Sequence, residues 1–213
     1  ISFIIPPTYE SQALLLPVSK GEPPQGLTRS SLGNLAGAVL GANSGSVDDA
    51  TITLAYMQSS KVILDFIKDN NLLKDLNPNL WNEKTKEWKE EKPSLEKAIK
   101  KFNQKVTATQ NKEGLIQFSV EWKDAKKAQY IAEKYITRIN TLRRDQDKLE
   151  SEKNLAYLYA RLREEPAQEL RNTISAMVAK EMQTIMRAES PNDYVLKAAF
   201  SRNRKHIYLV LQA

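Results

Sequence analysis

The chain has 213 residues, 41% of them hydrophobic, which is enough for one ordinary domain or two small ones. Its 32 basic residues outnumber 26 acidic ones for a formal net charge of +6, but the two signs are interspersed, which favours a solvated mixed-charge surface over a nucleic-acid footprint. With no cysteine and one histidine, disulfides, thiolate chemistry and histidine metal clusters are excluded, and a Ser-His-Asp triad could draw only on His206.

No stretch reaches the roughly 18 apolar residues that a membrane helix needs. The chain opens on Ile1-Ser2-Phe3-Ile4-Ile5-Pro6-Pro7, with no start methionine, charged leader region or cleavage site, and reads as a piece of a longer protein. A first strand is predicted over Tyr9–Pro17, its ends set by prolines. Residues 20–47 hold Gly21, Gly26, Gly33, Gly37, Gly41 and Gly45 with Pro23 and Pro24, a density that reads as loop. Gly33, Gly37 and Gly41 have the small-xxx-small spacing of close-packed membrane helices, in an apolar stretch too short to span. They are not a phosphate loop, because no Gly-Lys-Ser/Thr follows.

From Val47 to Leu73 apolar residues recur at threes and fours, with Asp48 or Asp49 as N-cap and breaks at Asn70-Asn71 and Asn77-Pro78. Trp81 and Trp88 then lie in a charged stretch. Ser94 is the predicted N-cap of a short helix running to about Phe102. Val106–Gln110 and Leu115–Trp122 read as a hairpin turning at Asn111-Lys112-Glu113-Gly114. Ile116, Phe118, Val120 and Trp122 alternate onto one face of its second arm.

The run from Trp122 to Met186 contains no glycine and a single proline, Pro166, and reads as two long helices. Asp124 is the predicted N-cap of the first. Its seam is Ala128, Ala132, Tyr135, Ile139, Leu142 and Leu149, polar at Gln146 and Lys153, and it resumes at Leu155, Leu158, Tyr159 and Leu162. Pro166 suits the first turn of the return helix, whose stripe is Leu170, Ile174, Met177, Val178, Met182 and Ile185, ending near Ser190-Pro191. Tyr194–Phe200 and His206–Leu211 read as closing strands. Strands on either side of a long helical hairpin define an α+β chain.

Little here suggests chemistry. Lys84–Lys105 carries eight lysines and four glutamates beside two tryptophans, and a solvated face with indoles folded onto the body outweighs a nucleic-acid surface. Met177, Met182 and Met186 read as seam residues. Glu164, Glu165 and Glu169 fall at the hairpin tip with no acid–base pair to propose. His206 alternates with Tyr208 in a strand and reads as structural, while Arg202, Arg204 and Lys205 form a cluster suited to anionic headgroups.

In order, the residues Tyr9-Glu10-Ser11-Gln12-Ala13 to Pro17, Ser31-Leu32-Gly33-Asn34-Leu35-Ala36-Gly37, Ser59-Ser60-Lys61-Val62-Ile63-Leu64-Asp65-Phe66-Ile67 and Asn71-Leu72-Leu73 lead to Leu80-Trp81-Asn82 and Trp88. Gly114-Leu115-Ile116, Trp122-Lys123-Asp124-Ala125-Lys126-Lys127-Ala128, Asn140-Thr141-Leu142-Arg143 and Asn192-Asp193-Tyr194 follow. Together they resemble the periplasmic domain of the Wzz polysaccharide chain-length determinants, the bacterial polysaccharide co-polymerases. The similarity runs to about Lys197. Ala198–Ala213 departs from it, having no proline where the family carries a proline-rich segment.

The resemblance implies a membrane-proximal α/β base with a small mixed sheet, formed by residues 1–122 with 190–213, and an extended helical hairpin arm over 123–189. It implies flanking transmembrane helices outside this sequence, a periplasmic location at the bacterial inner membrane, and a homo-oligomeric ring. The implied partners are a membrane O-antigen polymerase and lipid-linked polysaccharide, with no nucleic acid, no cofactor and no catalytic or metal site. Such proteins set the modal length of O-antigen or a related surface polysaccharide in lipopolysaccharide biosynthesis.

Candidate residues for coiled-coil-like packing of arms and subunits are Tyr135, Ile139, Leu142, Leu149, Leu158, Leu162, Leu170, Ile174 and Met177. Arg138, Arg143 and Arg144 are candidates for contacting polysaccharide or a neighbouring subunit, against ordinary helix solvation beside Asp145 and Asp147. Three rival readings stay open: the periplasmic region of a capsule or exopolysaccharide export co-polymerase with a tyrosine autokinase, a cytoplasmic coiled-coil interaction protein, and a nucleic-acid-binding protein.

Overall fold

The computed structural model describes residues 8–17, 49–190 and 196–203. Its elements are β1 (Tyr9–Pro17), α1 (Asp49–Gln58), α2 (Ser60–Asp69), α3 (Leu73–Leu76), β2 (Trp81–Asn82), β3 (Glu87–Trp88), α4 (Leu95–Asn103), β4 (Val106–Gln110), β5 (Ile116–Trp122), α5 (Ala125–Glu164), α6 (Gln168–Glu189) and β6 (Leu196–Asn203). The fold is α+β. The described residues divide into two compact units: residues 8–17, 50–140 and 196–203 form one, and residues 141–190 belong to the other. The forty-residue α5 contributes residues 125–140 to the first unit and 141–164 to the second.

The first unit is built on a four-stranded sheet in the order β4-β5-β1-β6. All three pairings are antiparallel, not mixed as the resemblance implies. Register places Ala13 opposite Phe118 on one side and Phe200 on the other, and Leu15 opposite Ile116. Because successive side chains alternate, Ser11, Ala13 and Leu15 of β1 and Ile116, Phe118, Val120 and Trp122 of β5 are buried, while Leu14 and Leu16 are exposed. The β4–β5 turn is held by Asn111, whose Oδ1 accepts from the backbone N–H groups of Glu113 and Leu115. Gly114 supplies the positive φ of +80° that this turn requires.

Helices supply the other half of this core. The buried residues are Ile63, Phe66 and Ile67 of α2, Ala98 and Phe102 of α4, and Ala128, Ile131, Ala132, Tyr135 and Ile139 of α5. Their caps are local chemistry. Ser94 Oγ accepts from Lys97 N at 3.3 Å and Asp124 Oδ1 from Lys127 N at 2.7 Å, as predicted. Helix α2 stops because Asn71 takes φ +50°, with Leu72 N donating to Ile67 O and Asn71 N to Lys68 O, a Schellman closure with asparagine in glycine's usual place.

Three elements differ from the sequence reading. The helix predicted over 47–73 is interrupted at Ser59, which is extended (φ −65°, ψ 122°), so α1 and α2 are separate. Trp81 and Trp88 face each other across a two-residue hairpin with ring centroids 5.1 Å apart, and Lys86 carries its positive φ of +59°. Pro166 lies just before the cap residue Ala167 instead of inside the first turn of α6. The predicted loop over 20–47, the Asp48 cap and the strand at 206–211 lie outside the described residues, as do Arg204, Lys205 and His206.

Tyr135 is the centre of the first unit. Its ring lies 4.8 Å from Phe66, 5.5 Å from Phe102 and 5.8 Å from Phe118, the last nearly parallel. Its hydroxyl donates to Met57 O at 2.6 Å. That carbonyl would serve Lys61 N in a continuous helix; the break at Ser59 frees it, and Tyr135 supplies the missing donor.

Tyr135→Phe should cost about 1–3 kcal/mol, since a buried carbonyl loses its partner, and Tyr135→Ala about 3–5 kcal/mol, both read by urea unfolding of the chain. Burial pushes the Tyr135 phenol up, so the stability it contributes is intact below about pH 10 and is lost as pH rises toward the raised folded value. The wild type should therefore weaken more steeply above about pH 10 than Tyr135→Phe.

Candidate functional site

The second unit is an antiparallel helical hairpin made of residues 141–164 of α5 and all of α6. Lys148 Nζ donates to Glu189 Oε1 at 2.8 Å, Asn154 Nδ2 to Glu181 Oε1 at 3.1 Å, and Tyr159 Oη lies 3.9 Å from Met182 Sδ. The Glu189 carboxylate raises the Lys148 pKa, by hydrogen bond first and charge second. At the tip, Arg171 Nη1 donates to Leu162 O at 3.3 Å and Glu165 O at 3.4 Å, satisfying carbonyls that the end of α5 leaves open.

The line of buried residues along α5 is not the leucine seam read from sequence. From Ile139 it runs through Arg143, Asp147 and Ser151, a step of four each time. Arg143 Nη2 lies 3.9 Å from Asp147 Oδ2, and both side chains are almost wholly buried. Leu149, two residues from both Asp147 and Ser151, falls about 160° round the helix from each, and it is 47% exposed.

The predicted residues therefore separate into groups. Tyr135 and Ile139 are fully buried in the first unit. Leu142, Leu158, Leu162, Ile174 and Met177 are half-buried in the second unit. Leu149 and Leu170 are exposed, together with Tyr157, Tyr159, Met182 and Met186, the last at 68%. Arg143 is almost wholly buried, with its Nη2 3.9 Å from Asp147 Oδ2. Arg138 Nη1 is tied to Asp69 Oδ2 at 3.2 Å, joining α5 to the end of α2. Arg144 pairs with its neighbour Asp145 at 3.2 Å and is the most exposed of the three.

Among the described residues no group of three or more His, Cys, Asp or Glu could hold a metal ion, and no helix is long and apolar enough to cross a membrane. No family model and no curated protein matches this chain. Among solved structures, a fragment of WzzB, a polysaccharide co-polymerase from Salmonella Typhimurium, is similar at a TM-score of 0.38 and 13% sequence identity, over 93% of this chain and 97% of that one.

Two substitutions check the two faces of α5. Arg143→Ala should destabilise the chain by about 3–5 kcal/mol, because it breaks a buried ion pair with the Asp147 carboxylate. Leu149→Asp should change the stability of the monomeric chain by less than about 0.5 kcal/mol. Chemical denaturation of both variants decides whether the buried stripe is correctly placed.

Proposed function

We propose that this chain is the periplasmic part of a non-catalytic polysaccharide co-polymerase at the bacterial inner membrane. In this reading it sets the modal length of O-antigen or a related surface polysaccharide by assembling into a ring that serves the membrane polymerase. The observation that carries the reading is the helical hairpin, which leaves Leu149, Tyr157, Leu170, Met182 and Met186 in water. Scattered exposed leucines are ordinary, but this many large apolar side chains on one slender hairpin suit a surface that copies of the chain cover in one another. The ordered resemblance of the sequence to the chain-length determinants supports the same reading.

In this account residues 1–122 with 190–213 act as the membrane-proximal base and 123–189 as the arm, while lipid-linked polysaccharide and the polymerase are the working partners. Candidate inter-subunit residues are Leu142, Leu149, Leu158, Leu162, Leu170, Ile174 and Met177. Arg144 remains the candidate for touching sugar or a neighbour.

Deleting the gene and examining surface polysaccharide on a gel tests the proposal. A clustered band distribution should decay to a random ladder on deletion and return on complementation. An unchanged ladder would contradict chain-length control and shift the reading to polysaccharide export.

A further inference from the structure

Within the first unit, a cavity of about 520 Å³ opens between α3, the Trp81 hairpin, the end of α4, and the junction of β5 with α5. Five lysines line it: Lys74, Lys101, Lys105, Lys123 and Lys127. Its three carboxylates are already engaged. Asp75 Oδ2 holds Lys127 Nζ at 2.6 Å, Glu83 Oε2 holds Lys86 Nζ at 2.7 Å, and Asp124 Oδ1 accepts from the Lys127 backbone N–H at the start of α5. Lys101 Nζ donates to a neutral acceptor, Asn77 Oδ1, at 2.6 Å. Lys105 Nζ lies 5.3 Å from the centroid of the Trp122 ring. Among the described residues, Lys74, Lys101, Lys105 and Lys123 thus share one cavity with no carboxylate paired to any of them.

The concentration of charge is felt inside the site. Burial lowers the Lys105 pKa first, and the neighbouring Lys123 and Lys101 lower it further, against an opposing pull from Glu121. An oxyanion bound among these ammonium groups would offset their mutual repulsion. The rest of the wall mixes Leu76, Pro78, Trp81 and Trp122 with the polar Asn79 and Gln104, and the Trp81 indole stands beside the Glu83 carboxylate. Its volume falls in the range of pockets that hold small molecules, and is ample for one or two sugar rings.

We propose that this cavity binds an anionic saccharide, with its phosphate or carboxylate among Lys101, Lys105 and Lys123 and its ring against Trp81. The oxyanion part rests on the cavity alone. The saccharide part rests on the function proposed above.

The test is calorimetric titration of the purified chain at about 20 mM salt, with tryptophan fluorescence as a second readout. The probes are glucose 1-phosphate, glucuronate, inorganic phosphate and neutral glucose. We expect glucose 1-phosphate or glucuronate to bind more tightly than inorganic phosphate, with glucose not binding, and the stronger of the first two identifies the acidic group. Lys105→Gln and the more exposed Lys123→Gln should each weaken binding about tenfold, equivalent to about 1.4 kcal/mol, while Lys148→Gln in the hairpin leaves it unchanged. Affinity should fall as salt is raised.

Failure of both acidic sugars to bind at millimolar concentration, or equal binding by the Lys105 and Lys123 variants, would overturn the site. Binding by inorganic phosphate as tight as by the sugars would overturn its saccharide specificity. Binding that persists while gene deletion leaves the polysaccharide unchanged would remove the proposed function and keep the site. Lost binding beside an altered polysaccharide would do the reverse.

Discussion

Burying the ring of Tyr135 while giving its hydroxyl an acceptor is the constraint around which the first unit is arranged. One side chain from α5 meets Phe66 of α2, Phe102 of α4 and Phe118 of β5, and donates to the last turn of α1. Each aromatic contact contributes dispersion and edge or face complementarity beyond simple burial. The hydrogen bond makes the placement specific, because a buried hydroxyl or carbonyl without a partner is costly. The break at Ser59 and the position of α5 over the sheet are two sides of the same arrangement: the carbonyl exposed by one is satisfied by the other.

Elements governed by short-range chemistry were legible in the sequence. Alternation alone predicted β5 and its buried face, and a short polar side chain before a helix predicted the caps at Ser94 and Asp124. The break at Ser59 was not legible, because no glycine or proline marks it and the cause lies 76 residues away in Tyr135. The Trp81–Trp88 hairpin was equally hidden. Its strands are two residues long, and its left-handed position is filled by Lys86, where glycine or asparagine would have signalled the turn.

The site residues show the same division. The apolar half of α5, through Ile139, was readable from spacing. Beyond it the helix buries Arg143 and Asp147, which a hydrophobic pattern cannot reveal, while Leu149 of the leucine-based seam is exposed. The lysine cavity was in view only as a charged stretch. Its content depends on which lysines find carboxylates, and that is a tertiary property: Asp75 reaches across to Lys127, leaving Lys101 and Lys105 without such a partner. The described residues thus include a hairpin with several exposed large apolar side chains and a separate cavity lined by lysines.

The central claim, that the hairpin face is covered by a second copy, is tested most directly by cross-linking. The natural chain has no cysteine, so single Leu149→Cys and Met186→Cys variants of the complete gene product carry one reactive site per copy in this region. Treated in intact membranes with a short bis-maleimide, either variant should yield a covalent dimer, while Lys112→Cys in the β4–β5 turn of the first unit should not. Monomer alone from both hairpin variants, with each cysteine shown to react with a monofunctional maleimide, would contradict the account.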